Sequence, residues 1–360
     1  MQVRGTVRDD AICVIGAGAQ TPVGRSLLAS ASAIRCNISA AAEHPFMIDR
    51  HGESMVVARA PWLDLSSRLD ARIAALAIDA AKEAIYPIAP RFAWLRRHIR
   101  LYIALTADYL DDRGRSGVAD RVAAGLELKD EGWTSSRSER LAYIADGHAA
   151  GLLALEHAVR DVKRGAVELA LVGGSDSCIA PERLESIDYA GRLHTVKDSW
   201  GFTPGEGAAF TLVTTGAIAR RLGAEPLGEI LSVACAPEEM LMATRTVCTG
   251  QGLTSAFRAA LEHQPRVTHT FCDLNGEIYR AEEYGFAITR TASAFESAER
   301  FTAPASVCGD VGSASGSLAI GLSVAAFARS AGEGPVHLAW SSSATTPLRG
   351  AAVLCQPGAN

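Results

Sequence analysis

The sequence predicts an α/β architecture built from two related halves, and three observations carry that expectation. Short apolar runs alternate with segments of helical period along the whole chain, the pattern of strands interleaved with helices. The text beginning at 147, GHAAGLLAL, returns 165 residues downstream as GSASGSLAI, with Gly147/Gly312, Ala149/Ala314, Gly151/Gly316, Leu153/Leu318 and Ala154/Ala319 identical. The 360 residues, 48% hydrophobic and 21% charged, suit two domains or one large layered unit at about 150 residues per domain. We place the halves at 1–225 and 226–360.

Taken in order, Ala11-Ile-Cys-Val-Ile15 is a short buried strand that breaks into the turn Gly16-Ala-Gly18-Ala-Gln-Thr21-Pro22-Val-Gly24. A dinucleotide-binding loop needs glycine or alanine where Thr21 stands, so this turn reads as punctuation and not as a cofactor cradle. Residues 68–85 carry apolar side chains at helical spacing, 100–105 form a strand, and the charged stretch 113–138 reads as a surface excursion. A helix over 149–164 is stopped by Gly165, and a strand over 167–172 runs into Gly173-Gly174. The second half repeats the grammar, with strands at 227–233, 268–274, 335–340 and 351–356 and helices at 254–262 and 316–331. The small residues of the repeat let two helices approach closely, which suits a pair of buried central helices.

Composition narrows the function. Thirty-five basic against 40 acidic residues leave a net charge of −5, no excess with which to neutralise a nucleic-acid backbone. The longest apolar stretch, 318–328, covers 11 residues, whereas a bilayer helix needs about 20. Residues 1–10 are charged and lack an apolar signal core, so a cytoplasmic location is expected. The eight cysteines are scattered without a CxxC and the nine histidines without an HExxH. Neither a disulfide frame nor a metal site nor a cofactor is expected, and the cysteines read as small buried hydrophobes.

Several longer strings carry a family likeness. Lys163-Arg-Gly165-Ala-Val-Glu-Leu-Ala-Leu-Val-Gly173-Gly174-Ser-Asp176-Ser, Asp188-Tyr-Ala-Gly191-Arg-Leu and Gly201-Phe-Thr-Pro204-Gly205-Glu206-Gly207-Ala-Ala together resemble the β-ketoacyl-ACP synthases of the thiolase-like superfamily. The last string is the most specific. Residues 12–24 are similar to that family's opening strand and turn, and Val307-Cys-Gly-Asp310-Val-Gly312-Ser-Ala-Ser-Gly316 to the loop that opens its second central helix. The resemblance spans nearly the whole chain, weakly at 111–138 and 235–300. It implies a five-layer α-β-α-β-α fold of two duplicated halves, usually a homodimer that pairs through the strand before the first central helix, here about 141–144.

The chemistry of such a synthase departs here at four places. It needs a cysteine thiolate at the N-terminus of the first buried helix, where helix N–H groups lower the thiol pKa and hold an oxyanion. The corresponding text is Ile144-Ala-Asp146-Gly-His148-Ala-Ala-Gly151, and one alignment puts His148 at the nucleophile position while another puts Ala149 there. The nearest downstream cysteine is Cys178. Where the family has a Gly-His pair, this chain has Gly312-Ser313. His269 is the nearest counterpart of the other family histidine, without its G-T-G-T loop, and the final Gly-rich loop is replaced by Ser341-Ser-Ser-Ala-Thr-Thr-Pro347.

His148 reads either as a histidine packed at the mouth of an inherited pocket or, with Ser313, as a base–nucleophile pair oriented by Asp310 or Asp146. Cys272 and Cys308 read as packing. Asp273, Asn275 and Glu277 read as stabilising a turn or helix start, and Glu206 as satisfying buried backbone donors. The expectation is therefore a ketosynthase-like protein that has lost condensation. It would serve as a dimeric scaffold, an acyl binder, or the partner subunit of an active paralogue, with an acyl carrier protein as a further partner. The alternatives are an acyltransferase or malonyl decarboxylase with an altered site, or a Ser313/His148 hydrolase. The site residues are His148, Ser313 and His269.

Overall fold

The structure is a computed structural model that describes residues 7–129, 140–242, 247–329 and 332–359. The first half runs β1 (Ile12–Gln20), α1 (Leu27–Arg35), β2 (Ala41–Ile48), β3 (Ser54–Ala58), α2 (Leu69–Ile85), α3 (Phe92–Leu95), β4 (Ile99–Ala104), α4 (Asp112–Gly125) and β5 (Leu141–Ile144). It continues with α5 (Ala150–Lys163), β6 (Leu169–Ser177), α6 (Pro181–Tyr189), β7 (Glu206–Thr215) and α7 (Gly216–Leu222). The second half comprises β8 (Gly228–Pro237), α8 (Gln251–Leu261), β9 (His269–Cys272), α9 (Ile278–Thr291), β10 (Phe301–Thr302), α10 (Ala305–Cys308), α11 (Ser315–Arg329), β11 (Val336–Ser342) and β12 (Leu348–Cys355).

Strand pairing makes the duplication explicit. The hydrogen-bonded order is β10-β9-β11-β12-β8-β1-β7-β6-β4-β5. Read outward from the centre, β1-β7-β6-β4-β5 and β8-β12-β11-β9-β10 are the same arrangement. In each half the first two pairings are antiparallel and the outer two parallel. Only Cys13↔Glu229 and Val14↔Gly228 join the two sets, so the strands act as two five-stranded sheets hinged along β1 and β8. Between them lie α5 and α11, each packed on strands of both halves; α2 and α4 cover one outer face, α8 and α9 the other. That is the five-layer α-β-α-β-α fold of the thiolase-like proteins.

The central layer explains the small-residue repeat. A side chain on Gly151 would meet Ser317 Oγ at 2.5 Å, and one on Gly316 would meet Leu152 Cγ at 3.0 Å, so the two helices touch where both lack a Cβ. Their buried faces, with Leu152, Leu155, Leu318 and Leu322, form one cluster with strands of both sheets.

Two sequence readings are corrected. Strand β1 does not break at Gly16 but runs on to Gln20. A Cβ on Gly16 or Gly18 would overlap the carbonyl oxygen of Ala84 or Ala80, so these glycines admit α2 against the strand. The region 113–138 is not wholly an excursion, because α4 begins at an Asp111 cap that accepts from Gly114 N at 2.7 Å and buries Val118, Ala119, Val122 and Ala123. That apolar stripe is made of small residues among charges and gives little periodic signal. Residues 130–138 of the same reading lie outside the described residues.

Candidate functional site

Both central helices are entered through a single 3₁₀ turn, Gly147–Ala149 before α5 and Gly312–Ala314 before α11. Gly147 and Gly312 have φ of +70° and +54°, the left-handed region that glycine adopts without strain. The repeat thus delivers equivalent positions, His148 and Ser313, to the wall of one cavity of about 180 Å³, lined also by Thr106, Cys178, Arg183 and Arg192.

His148 is held by a carboxylate. Its Nε2 lies 2.8 and 3.0 Å from the two oxygens of Asp310, with the His148 side chain 13% and that of Asp310 3% exposed. Asp310 also accepts from Gly312 N at 2.8 Å and from Asn275 Nδ2 at 2.6 Å. Burial works against the charge on Asp310, but His148, the nearby Arg280 and the Gly312 N–H outweigh it and hold the carboxyl well below its usual range. Asn275 in turn donates to Glu277 at 3.0 Å, and Glu277 receives Arg192 through two contacts at 2.7 and 3.0 Å. A continuous hydrogen-bonded chain, three charged groups linked through the neutral Asn275 amide, therefore fixes the imidazole.

The backbone that faces the cavity is closed by hydroxyls from the end of β11 and from the β11–β12 loop. Ser343 Oγ accepts from Ala149 N at 3.1 Å and donates to the Asp146 carbonyl. Ser341 Oγ donates to the His148 carbonyl at 3.1 Å and Thr346 Oγ1 to the Asp146 carbonyl at 2.9 Å. The Ala149 N–H that could serve an oxyanion at this helix start is already used by a side chain.

Ser313 does not meet His148. Its backbone N–H donates to Asp176 at 2.9 Å, Asp176 is paired with Arg183 at 2.6 Å, and the fully buried Ser313 Oγ has no hydrogen-bond partner. The nucleophile–base contact that a Ser/His hydrolase requires is missing from this arrangement. His269 is not brought to the cavity. It sits on β9 with Nε2 2.9 Å from Thr302 Oγ1 and its ring against Phe271 and His337. The loop after β9 reaches the site instead, through Asn275 and Glu277. In sequence those two read as stabilising a turn or helix start, and Glu277 does precede α9, but nothing in Asp273-Leu-Asn275-Gly-Glu277 signals support of a buried carboxylate 35 positions away.

Burial raises the pKa of the thiols at and beside the cavity. Cys178 lines the cavity but is buried, which pushes it up to about 12, and burial with the Asp310 charge does the same to Cys308. Burial also raises Cys272. Cys36, at the end of α1, is exposed. Native-state iodoacetamide labelling at neutral pH followed by peptide mapping should mark Cys36 and leave Cys178, Cys272 and Cys308 unmodified; rapid labelling of any of those three would show a relocated nucleophile. Away from the cavity, Glu238, Cys248 and Glu283 place their ligand atoms within 4.8 Å of one another. Both carboxylates already have partners, Glu283 in Arg349 and Ser342 and Glu238 in Gly252 N.

Comparisons with known proteins follow this geometry. Residues 146–218 match the model of the β-ketoacyl synthase N-terminal domain. A type II polyketide ketosynthase, solved in complex with its acyl carrier protein and bound to a hexaketide, superposes with a TM-score of 0.78 at 16% identity over 97% of this chain and 99% of its own. The chain has a ketosynthase-like fold. The ishigamide ketosynthase/chain length factor is similar to it at TM-score 0.76, 16% identity and 96% and 99% coverage. The ketosynthase of module 6 of the bacillaene synthase from Bacillus subtilis 168 gives 0.72, 13% identity and 96% and 72% coverage. No curated protein matches this chain by sequence. Among the described residues no helix is long and apolar enough to cross a membrane.

Proposed function

We propose that this ketosynthase-like chain is a condensation-inactive partner subunit that occupies one place in a dimeric synthase. The observation that carries the reading is the state of the α5 start. The side chain there is a histidine paired to buried Asp310, and the adjacent Ala149 N–H is bonded to Ser343 Oγ. A condensing site needs a free thiolate and free N–H donors at that point; here no cysteine stands there and the Ala149 N–H is taken. The retained layers, the buried ion pairs and the likeness to a ketosynthase/chain length factor pair support a role in assembly. Among the described residues β5 ends the first sheet with an unpaired edge, a surface that needs covering.

The test is direct. Purified chain incubated with acyl and malonyl thioesters of a carrier protein should yield no β-ketoacyl product and no carbon dioxide above background. Light scattering at micromolar concentration should show a dimer, alone or with an active ketosynthase. Condensation product would overturn the reading. Carbon dioxide release without product would favour a decarboxylase, and a strict monomer under both conditions would remove the assembly role.

A further inference from the structure

A second cavity, of about 170 Å³, opens between α1, α11, β9 and β10 and shares no lining residue with the His148 cavity. Its walls are apolar, with Ile34, Phe271, Leu322 and Ala325 buried. An engineered cavity of about 150 Å³ with leucine, isoleucine and phenylalanine walls holds benzene, so this one has room for one ring and little more.

Three charged groups join the lining. Arg35 and Arg329, in the last turns of α1 and α11, are exposed, and neither has a carboxylate within ion-pair distance among the described residues. Arg329 donates to the Leu28 carbonyl at 3.3 Å. Glu333 has a buried carboxylate oxygen, Oε2, with no hydrogen-bond partner. The remaining polar lining group, Thr302 Oγ1, is engaged by His269. Burial and the charge of Arg300 lower His269 to about 4, so that wall is neutral at pH 7.

We propose that this cavity binds a small aromatic carboxylic acid with one ring and a ring hydroxyl. The ring lies against Phe271 and Leu322, the carboxylate meets Arg35 and Arg329, and the hydroxyl donates to Glu333. Guanidinium–carboxylate pairing matches the two unpaired cations, and a donor satisfies the otherwise orphaned buried oxygen. The inference does not depend on the subunit reading, because it uses none of the residues around His148.

Calorimetric titration of the full chain with 4-hydroxyphenylacetate tests it. One saturable site is expected. Phenylacetate, which lacks the donor, should bind about five-fold more weakly, and Arg35→Gln or Arg329→Gln should weaken 4-hydroxyphenylacetate about ten-fold. Tyramine, with the opposite charge, should not bind. Both arginines are exposed, so these variants fold; Ala326→Leu, which fills the cavity, should abolish binding at unchanged melting temperature. Absence of saturation at millimolar ligand, tighter binding of tyramine, or indifference to both arginine variants would overturn the proposal. So would loss of binding in Thr106→Leu, which alters the His148 cavity instead.

Discussion

Arg280→Met should lower the melting temperature by about 4–7 °C or abolish soluble expression, the largest effect we expect from one side chain. Arg280 is fully buried on α9, donates to Asp273 at 2.6 Å and to the Ser342 carbonyl at 2.5 Å, and lies 3.6 Å from Glu277. Removing it strands Asp273 and weakens the field on Asp310 and Glu277. Breaking a buried pair by deleting one partner costs about 3–5 kcal/mol, which in a chain of this size is a shift of several degrees at least. Adding Asp273→Asn should recover part of the loss, because the stranded group is then neutral. Thermal melts of the single and double variants check this; no recovery would mean that packing and not charge dominates at this position.

Gly18→Ala should be nearly as damaging. Its Cβ would meet Ala80 O, Glu83 Cβ and Ala84 N together, so α2 must move off β1. That movement also pulls Glu83 from Ala19 N and Leu27 N, each now held at 3.0 Å. Backbone overlap of this kind in a packed core costs about 3 kcal/mol or more. Gly285→Ala on α9, where an added Cβ meets nothing within 4 Å, is the contrast. It should be neutral or stabilise by up to about 1 kcal/mol through helix propensity. Denaturant titration of the two variants separates close approach from the ordinary effect of replacing a glycine.

Much of the architecture was legible because it is written in local pattern. Helix α2 over Leu69–Ile85 follows from apolar residues at helical spacing, and α5 from the run that ends at Gly165. The repeat between 147 and 312 anticipates the equivalence that the strand order displays. Glycine in an isolated sequence signals a turn, whereas the reason for Gly16 within β1 is the close approach of Ala84 of α2, 68 positions downstream. Helix α4 was missed because alanine and valine between charges bury a narrow stripe without an apolar period.

The site was legible only in part. The lack of cysteine before Leu152 and the serines at 341–343 could be read by position along the chain. The sequence offers both Asp310 and Asp146 as carboxylates for His148, and choosing between them needs three-dimensional placement. Asn275, Glu277 and Arg192 escaped as site residues because their partners lie 35, 85 and 85 positions away. His269 falls in the right segment, yet its strand turns it toward Thr302 and Phe271, and the residues that follow it reach the cavity instead.

The central claim is that the helix start at His148 cannot carry an acyl group. Intact mass spectrometry after incubation with an acyl thioester of a carrier protein measures that directly, with an active ketosynthase as the positive control. The account predicts an unchanged mass for this chain while the control gains one acyl group. A stoichiometric acyl adduct, mapped to His148, Ser313 or Cys178, would contradict it.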